Sequence, residues 1–243
     1  MVHPAREPER METSTFVLVP GFWLGGWAWD GVADRLRAAG HRAVPVTLPG
    51  LDPDDPQRAA ATIADQADHL RAIVAEQPGP VALVAHSGAN LPTSVLLDRE
   101  PTAVARVIYV DSGPVADGGR FDPSAPAELA ELPLPPFDQL RASLDGLDDD
   151  TLRTFRERSV PAPGAVVREP VRLTNDARRD VPTTIVACSY PSEVMLKLAR
   201  EGNPMMAETA TLRDLEVVDL PTGHWPMWSR PADLAAALVA AVA

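Results

Sequence analysis

Attack on a carbonyl carbon needs a hydroxyl, an imidazole to take its proton and a carboxylate to orient the imidazole. In this chain each of the three follows an apolar run. The stretch LVAHSGAN (83–90) carries Ser87 between His86 and Gly88. ARVIYVDSG (105–113) carries Asp111, and LEVVDLPTGHWP (215–226) carries His224. A serine nucleophile on a strand-to-helix turn usually stands in G-x-S-x-G. Here the five places hold Ala85, His86, Ser87, Gly88 and Ala89. The outer residues are small enough for strand and helix to approach, although neither is glycine. A serine in this position could also do no more than cap the following helix.

A second carboxylate competes with Asp111. TTIVAC (183–188) runs into Ser189, Tyr190, Pro191, Ser192 and Glu193. Asp111 is the better support for an imidazole, because a strand end is more rigid than a Pro-Ser-Glu loop. It could instead cap the turn at DSGP. Asp219 reads as structural.

These residues require elements that hold them on one edge. TFVLVP (15–20), RAVPVTLP (42–49), PVALVAHS (80–87), ARVIYV (105–110), TTIVAC (183–188) and LEVVDL (215–220) read as six strands. The third is continuously apolar, as in a parallel strand covered on both faces. Pro45 suggests an irregular or edge position for the second. Helical spacing of Trp29, Val32, Leu36 and Ala39 predicts a helix over 26–39, closed by Gly40. A second helix is predicted over 57–76, a third from about Gly88, and a last over 229–243 with Pro231 near its start. Strand and helix alternate, which means an α/β fold: a mainly parallel six-stranded sheet with helices on both faces. The core is expected over 14–115 and 182–243. The proline-rich, acidic stretch 116–181 breaks the rhythm and reads as a small inserted cap, with Asp148 or Asp149 near a helix N-cap. In such a sheet, ligands bind beyond the carboxyl ends of the strands, where Ser87, Asp111, Glu193 and His224 all fall.

Composition narrows the function classes. The 243 residues include 22 basic and 34 acidic ones, a net charge of −12. Such a surface repels phosphate backbones and anionic lipid, so neither nucleic acid nor membrane is an expected partner. A small-molecule substrate is, with the protein a monomer or homodimer. One cysteine, Cys188, excludes an internal disulfide and a multi-cysteine metal site. No G-x-G-x-x-G follows the first strand, which argues against dinucleotide binding. No cofactor or metal is expected. Residues 1–13 are polar and contain prolines; they read as a disordered leader, or as an upstream extension if Met11 were the start. They lack the apolar middle of a signal peptide, so a cytoplasmic location is expected.

The stretch VPGFWLGGWAWDGVADRLRAAGHRAVPVTLPG (19–50) resembles the opening strand, oxyanion loop and first helix of an α/β-hydrolase. More narrowly it resembles the small plant-type methylesterases and hydroxynitrile lyases. The resemblance covers the core and leaves the cap aside. It implies Ser87 as nucleophile and His224 as general base. It also implies an oxyanion hole from the backbone amides of Phe22 and Gly88, the latter at a helix start with a favourable dipole. That family usually has His-Gly in the loop after the first strand, where this chain has Pro20-Gly21. It usually places its acid a few residues after the fifth strand, where this chain has Pro191, leaving Asp111 and Glu193 as replacements. Trp23, His86, Tyr190 and Trp225 are the expected substrate-side residues. The reading is a serine hydrolase for a small, largely apolar carboxylic ester. The alternatives are a non-hydrolytic lyase or cyclase on the same fold, or a ligand-binding protein with weakened turnover. Cyanohydrin cleavage is disfavoured, because the lysine that follows the histidine in the lyases is Trp225 here.

Overall fold

The computed structural model describes residues 13–243. The expected leader therefore lies outside the described residues, apart from Thr13. Six parallel strands form the sheet. They are β1 (Thr15–Val19), β2 (Arg42–Pro45), β3 (Val81–His86), β4 (Arg106–Val110), β7 (Thr183–Ala187) and β8 (Leu215–Asp219), in the spatial order β2-β1-β3-β4-β7-β8. Between β4 and β7 the two-residue strands β5 (Glu131–Leu132) and β6 (Ala162–Pro163) pair antiparallel, apart from the sheet.

The inner strands β1, β3 and β7 are buried along their whole length, whereas the edge strands β2 and β8 are only partly covered. This is why the sequence reads as continuous apolar runs in the middle of the sheet and as mixed runs at its edges. β2 is shorter than the predicted 42–49. It ends at Pro45, whose nitrogen faces the open edge of the sheet, and the Val46 N–H still donates to the Leu18 carbonyl at 2.9 Å.

The helices are α1 (Asp30–Ala38), α2 (Ile63–Ala75), α3 (Asn90–Arg99), α4 (Asp149–Arg158), α5 (Gly164–Arg168), α6 (Ser192–Arg200), α7 (Pro226–Ser229) and α8 (Pro231–Ala240). Two predicted helices divide. The 26–39 helix becomes a 3-10 turn (Gly26–Trp29) followed by α1, and the 57–76 helix becomes a short 3-10 turn followed by α2. The second break lies at Thr62. Its hydroxyl accepts from the Asp65 amide while Asp65 accepts from the Thr62 amide, a reciprocal capping box that starts α2 afresh. The helix α6 was not foreseen, since Ser192 and Glu193 read as loop. Asp148 caps α4 through the Thr151 amide, as expected.

The connection through α1 steps from β1 outward to β2, and the one through α2 returns past β1 to β3. Right-handed crossovers place α1 and α2 on opposite faces. α1 packs with α8, and α2 with α3, giving a helix layer on each side. The reversal falls between β1 and β3, and the carboxyl ends flanking such a point are the place where open α/β sheets hold ligands. Among the described residues no helix is long and apolar enough to cross a membrane.

Candidate active site

Only three non-glycine residues among those described take positive φ: Trp23 at 68°, Ser87 at 51° and Asp111 at 44°. They follow β1, β3 and β4, three neighbouring strands. Left-handed backbone at a residue with a Cβ costs on the order of 1–3 kcal/mol and persists only where the surroundings enforce it. At Ser87 it turns the chain sharply from β3 into a short 3-10 turn (Ser87–Ala89) that leads into α3. The Ser112 hydroxyl donates to the Ser87 carbonyl at 3.0 Å and holds that turn from the end of β4.

The turn aims the Ser87 hydroxyl at His224. Oγ lies 2.8 Å from Nε2, and the other ring nitrogen, Nδ1, lies 2.5 Å from Oδ2 of Asp111. Asp111 also accepts from the Cys188 and Ser189 amides on Oδ1, at 3.1 and 2.8 Å, and from the Ser189 hydroxyl on Oδ2. Burial pushes the Asp111 carboxyl up. The bond and charge of His224 and the two Ser189 donors outweigh burial and hold it below the ordinary carboxylate value. Asp111 is therefore a carboxylate, so the proton between it and His224 belongs to Nδ1. Nε2 is left as the acceptor for the serine hydroxyl. The Cys188 thiol behind this carboxylate is pushed up by burial and further by the Asp111 charge.

Of the two replacement acids, the one bonded to the histidine is Asp111. Glu193 sits exposed in the first turn of α6. Ser192 donates both its amide and its hydroxyl to Asp219, each at 2.7 Å, so Asp219 anchors the start of α6 in the structural role expected for it.

The loop after β1 approaches the turn closely. A Cβ on Gly21 would lie 2.7 Å from Cβ of Ser87, so only glycine fits. The next amide, Phe22 N–H, meets no acceptor among the described residues. Gly88 N–H is one of the open donors at a helix start. A Cβ on Gly88 would stand 3.0 Å from the Phe22 ring, which occupies that space. Trp23 is bound rather than free. Its indole N–H donates to the Leu132 carbonyl at 3.0 Å and its carbonyl accepts from Val160 at 3.0 Å, tying β1 to the segment between β4 and β7. That segment also reaches the histidine: Ser143 and Asp145 carbonyls accept from the His224 and Gly223 amides at 2.8 and 3.2 Å.

Two of the expected substrate-side residues, His86 and Trp225, are turned inward instead. His86 is 1% exposed and offers no surface to a ligand; its ring nitrogens bond backbone groups at Gly21 and His224. Trp225 is 2% exposed and packs edge-on to His224 at 4.9 Å and against Phe155 at 5.1 Å, backing the imidazole. Trp23 is similarly buried, although in contact with the Phe22 ring. Tyr190 is 59% exposed. Sequence reading missed two contributors. Phe121 packs edge-to-face on Phe22 at 4.4 Å yet stays 45% exposed. It lies in the irregular segment, where no periodicity marks it. Ser189 offered only a hydroxyl in a loop, and nothing in its neighbours points to Asp111.

Comparison with known proteins agrees with this architecture. The model of the Alpha/beta hydrolase family matches residues 16–237. A carbendazim-hydrolysing esterase from Nocardioides sp. (strain SG-4G) is 33% identical over 105 residues, covering 41% of this chain and 42% of that protein. Methylesterase 18 of Arabidopsis thaliana is 31% identical over 112 residues, covering 44% of this chain and 42% of that protein. The chain thus matches about two fifths of the length of these relatives. An extracellular α/β-hydrolase from a Paenibacillus species has the same fold, with a TM-score of 0.74 at 18% identity over 93% of this chain and 98% of that one. The family match runs from within β1 into α8 and takes in all of the sheet but Thr15, and the chain belongs to the α/β-hydrolase family.

Proposed function

We propose that the protein is a serine hydrolase of small, largely apolar carboxylic esters, acting through an acyl-enzyme. The observation that carries this reading is the hydrogen-bonded row of Ser87, His224 and Asp111 across the ends of β3, β8 and β4. A serine hydroxyl is a weak nucleophile until a base takes its proton. In the first step Ser87 Oγ attacks the ester carbonyl while Nε2 of His224 accepts the hydroxyl proton. The negative charge that develops on the carbonyl oxygen is met by the Phe22 and Gly88 amides. Asp111 offsets the positive charge of the imidazolium and keeps its second proton on Nδ1. His224 then gives the proton to the departing alcohol. In the second half, water attacks the acyl group with the same assistance and frees Ser87.

The apolar preference rests on the rings that flank the nucleophile. Phe22 lies against Gly88 and meets the half-exposed Phe121 from the segment between β4 and β7, which serves as the cap. The two relatives named above, a carbendazim-hydrolysing esterase and a methylesterase, are of the same class.

The test is covalent labelling. A fluorophosphonate should add one adduct to the wild-type protein, read by intact mass, and none to Ser87→Ala. The labelled protein should lose its hydrolysis of p-nitrophenyl acetate. A folded wild type that takes no label and hydrolyses no ester in a panel of small acyl chains would overturn the reading.

A further inference from the structure

We propose that His86 is a positioning residue for the hydrolysis, a neutral ring that holds the oxyanion loop and the histidine loop in one register. The inference rests on the serine-hydrolase reading above. His86 is fully buried, and each ring nitrogen bonds a backbone group from a different part of the site. Nδ1 accepts from the Gly21 N–H at 3.3 Å, and Nε2 lies 2.7 Å from the His224 carbonyl. A carbonyl can only accept, so Nε2 carries the proton and Nδ1 is bare. This is the one tautomer that satisfies both groups.

The two bonds fall where they matter. Gly21 immediately precedes the Phe22 amide offered to the oxyanion. The His224 carbonyl belongs to the base itself. His86 is also the residue before Ser87, and a Cβ on Gly21 would come within 3.1 Å of the His86 carbonyl. One side chain thus fixes the nucleophile's predecessor, the oxyanion loop and the base. Trp29 packs edge-on to the ring at 6.5 Å and sets its plane. Burial, then the neighbouring His224, push His86 down to about 3, so the ring stays neutral in use. A protonated ring would turn an N–H toward the Gly21 N–H and lose that bond. An apolar side chain would fill the same space. It would leave the Gly21 donor and the His224 acceptor without their partner, and free both loops to shift.

His86→Phe keeps the volume and removes both bonds. His86→Gln keeps a donor within reach of the His224 carbonyl but loses the acceptor for Gly21. Each full-length protein is titrated with fluorophosphonate to count active sites. It is then assayed on p-nitrophenyl acetate, and examined by proton NMR for the far-downfield resonance of the His224–Asp111 hydrogen bond. We expect kcat per titrated site to fall roughly tenfold to hundredfold in His86→Phe with KM moved by less than about threefold, the pattern of lost transition-state positioning. His86→Gln should fall between this variant and wild type. The downfield resonance should broaden in both variants, most in His86→Phe. If the sites that remain turn over at the wild-type rate, the role is merely structural and the proposal fails. If His86→Phe does not fold, an unchanged kcat and a sharp resonance in His86→Gln overturn it equally. A labelled, active wild type with unaffected variants overturns the role of His86 alone. A wild type that takes no label overturns the hydrolase reading and this one with it.

Discussion

The ends of β4 and β7 lie side by side in the sheet, and they divide one task between them. β4 runs straight into Asp111, in strained left-handed backbone, with its carboxylate on the histidine. Two residues past β7 stands Ser189, which contributes no charge and donates two hydrogen bonds to that carboxylate. Beyond Ser189 the chain enters α6 and turns to the surface, carrying Glu193 with it. The difference is one of support. A carboxylate that must hold a partly buried imidazole needs a fixed backbone and several donors to remain ionised. The end of β4 has both, because β7 supplies the donors. The Glu193 carboxylate, exposed on the first turn of α6, accepts no side-chain hydrogen bond among the described residues.

Removing the β4 carboxylate is the hardest test of that comparison. Asp111→Asn should lower kcat by roughly four orders of magnitude, because the amide favours the wrong imidazole tautomer. Steady-state ester hydrolysis with titrated sites checks it, and Glu193→Gln in the same assay should stay within about twofold of wild type. The reverse ranking would transfer the acid to β7. Next, Ser189→Ala should cost roughly tenfold in kcat, the order expected when one hydrogen bond to a charged group is lost. An unchanged rate would mean that the two amides suffice to hold Asp111.

Two smaller effects appear in stability. Asp111 is more acidic folded than unfolded, so the stability it adds is present above its ordinary value of 3.8 and is lost as pH falls through the lower folded value. His86 acts over a higher window. Its folded value is also depressed, so protons bind the unfolded chain first, and stability falls as pH drops from 6.5 toward about 3. Denaturant titrations across pH should show both limbs in wild type, with the lower limb reduced in Asp111→Asn, where Asp65 and Asp219 still contribute to it. The smallest change belongs to the end of β8: Asp219→Ala should cost about 1 kcal/mol, the usual value of a helix-start contact, and leave kcat per site unchanged. A loss of turnover would show that α6 helps to hold Ser189.

The sequence by itself determined the parallel sheet, the order of its strands along the chain, and Ser87, Asp111 and His224 as residues at strand ends. The physical reason is that burial on both faces writes itself as continuous apolar runs, and the strand boundary falls where those runs stop. Helix breaks at Thr62 and Trp29 escaped it, because caps and 3-10 turns keep nearly the same spacing of apolar residues. Only the tertiary structure decided between Asp111 and Glu193, since both follow strands and the choice depends on which backbone amides surround the carboxylate. It alone turned His86 inward to the backbone, placed Trp225 behind the imidazole and brought Phe121 onto Phe22. Each of these contacts joins residues distant in the chain or sets the direction of a side chain. Neither local propensity nor periodicity encodes such facts; they arise when the loops at the sheet's carboxyl edge pack against one another.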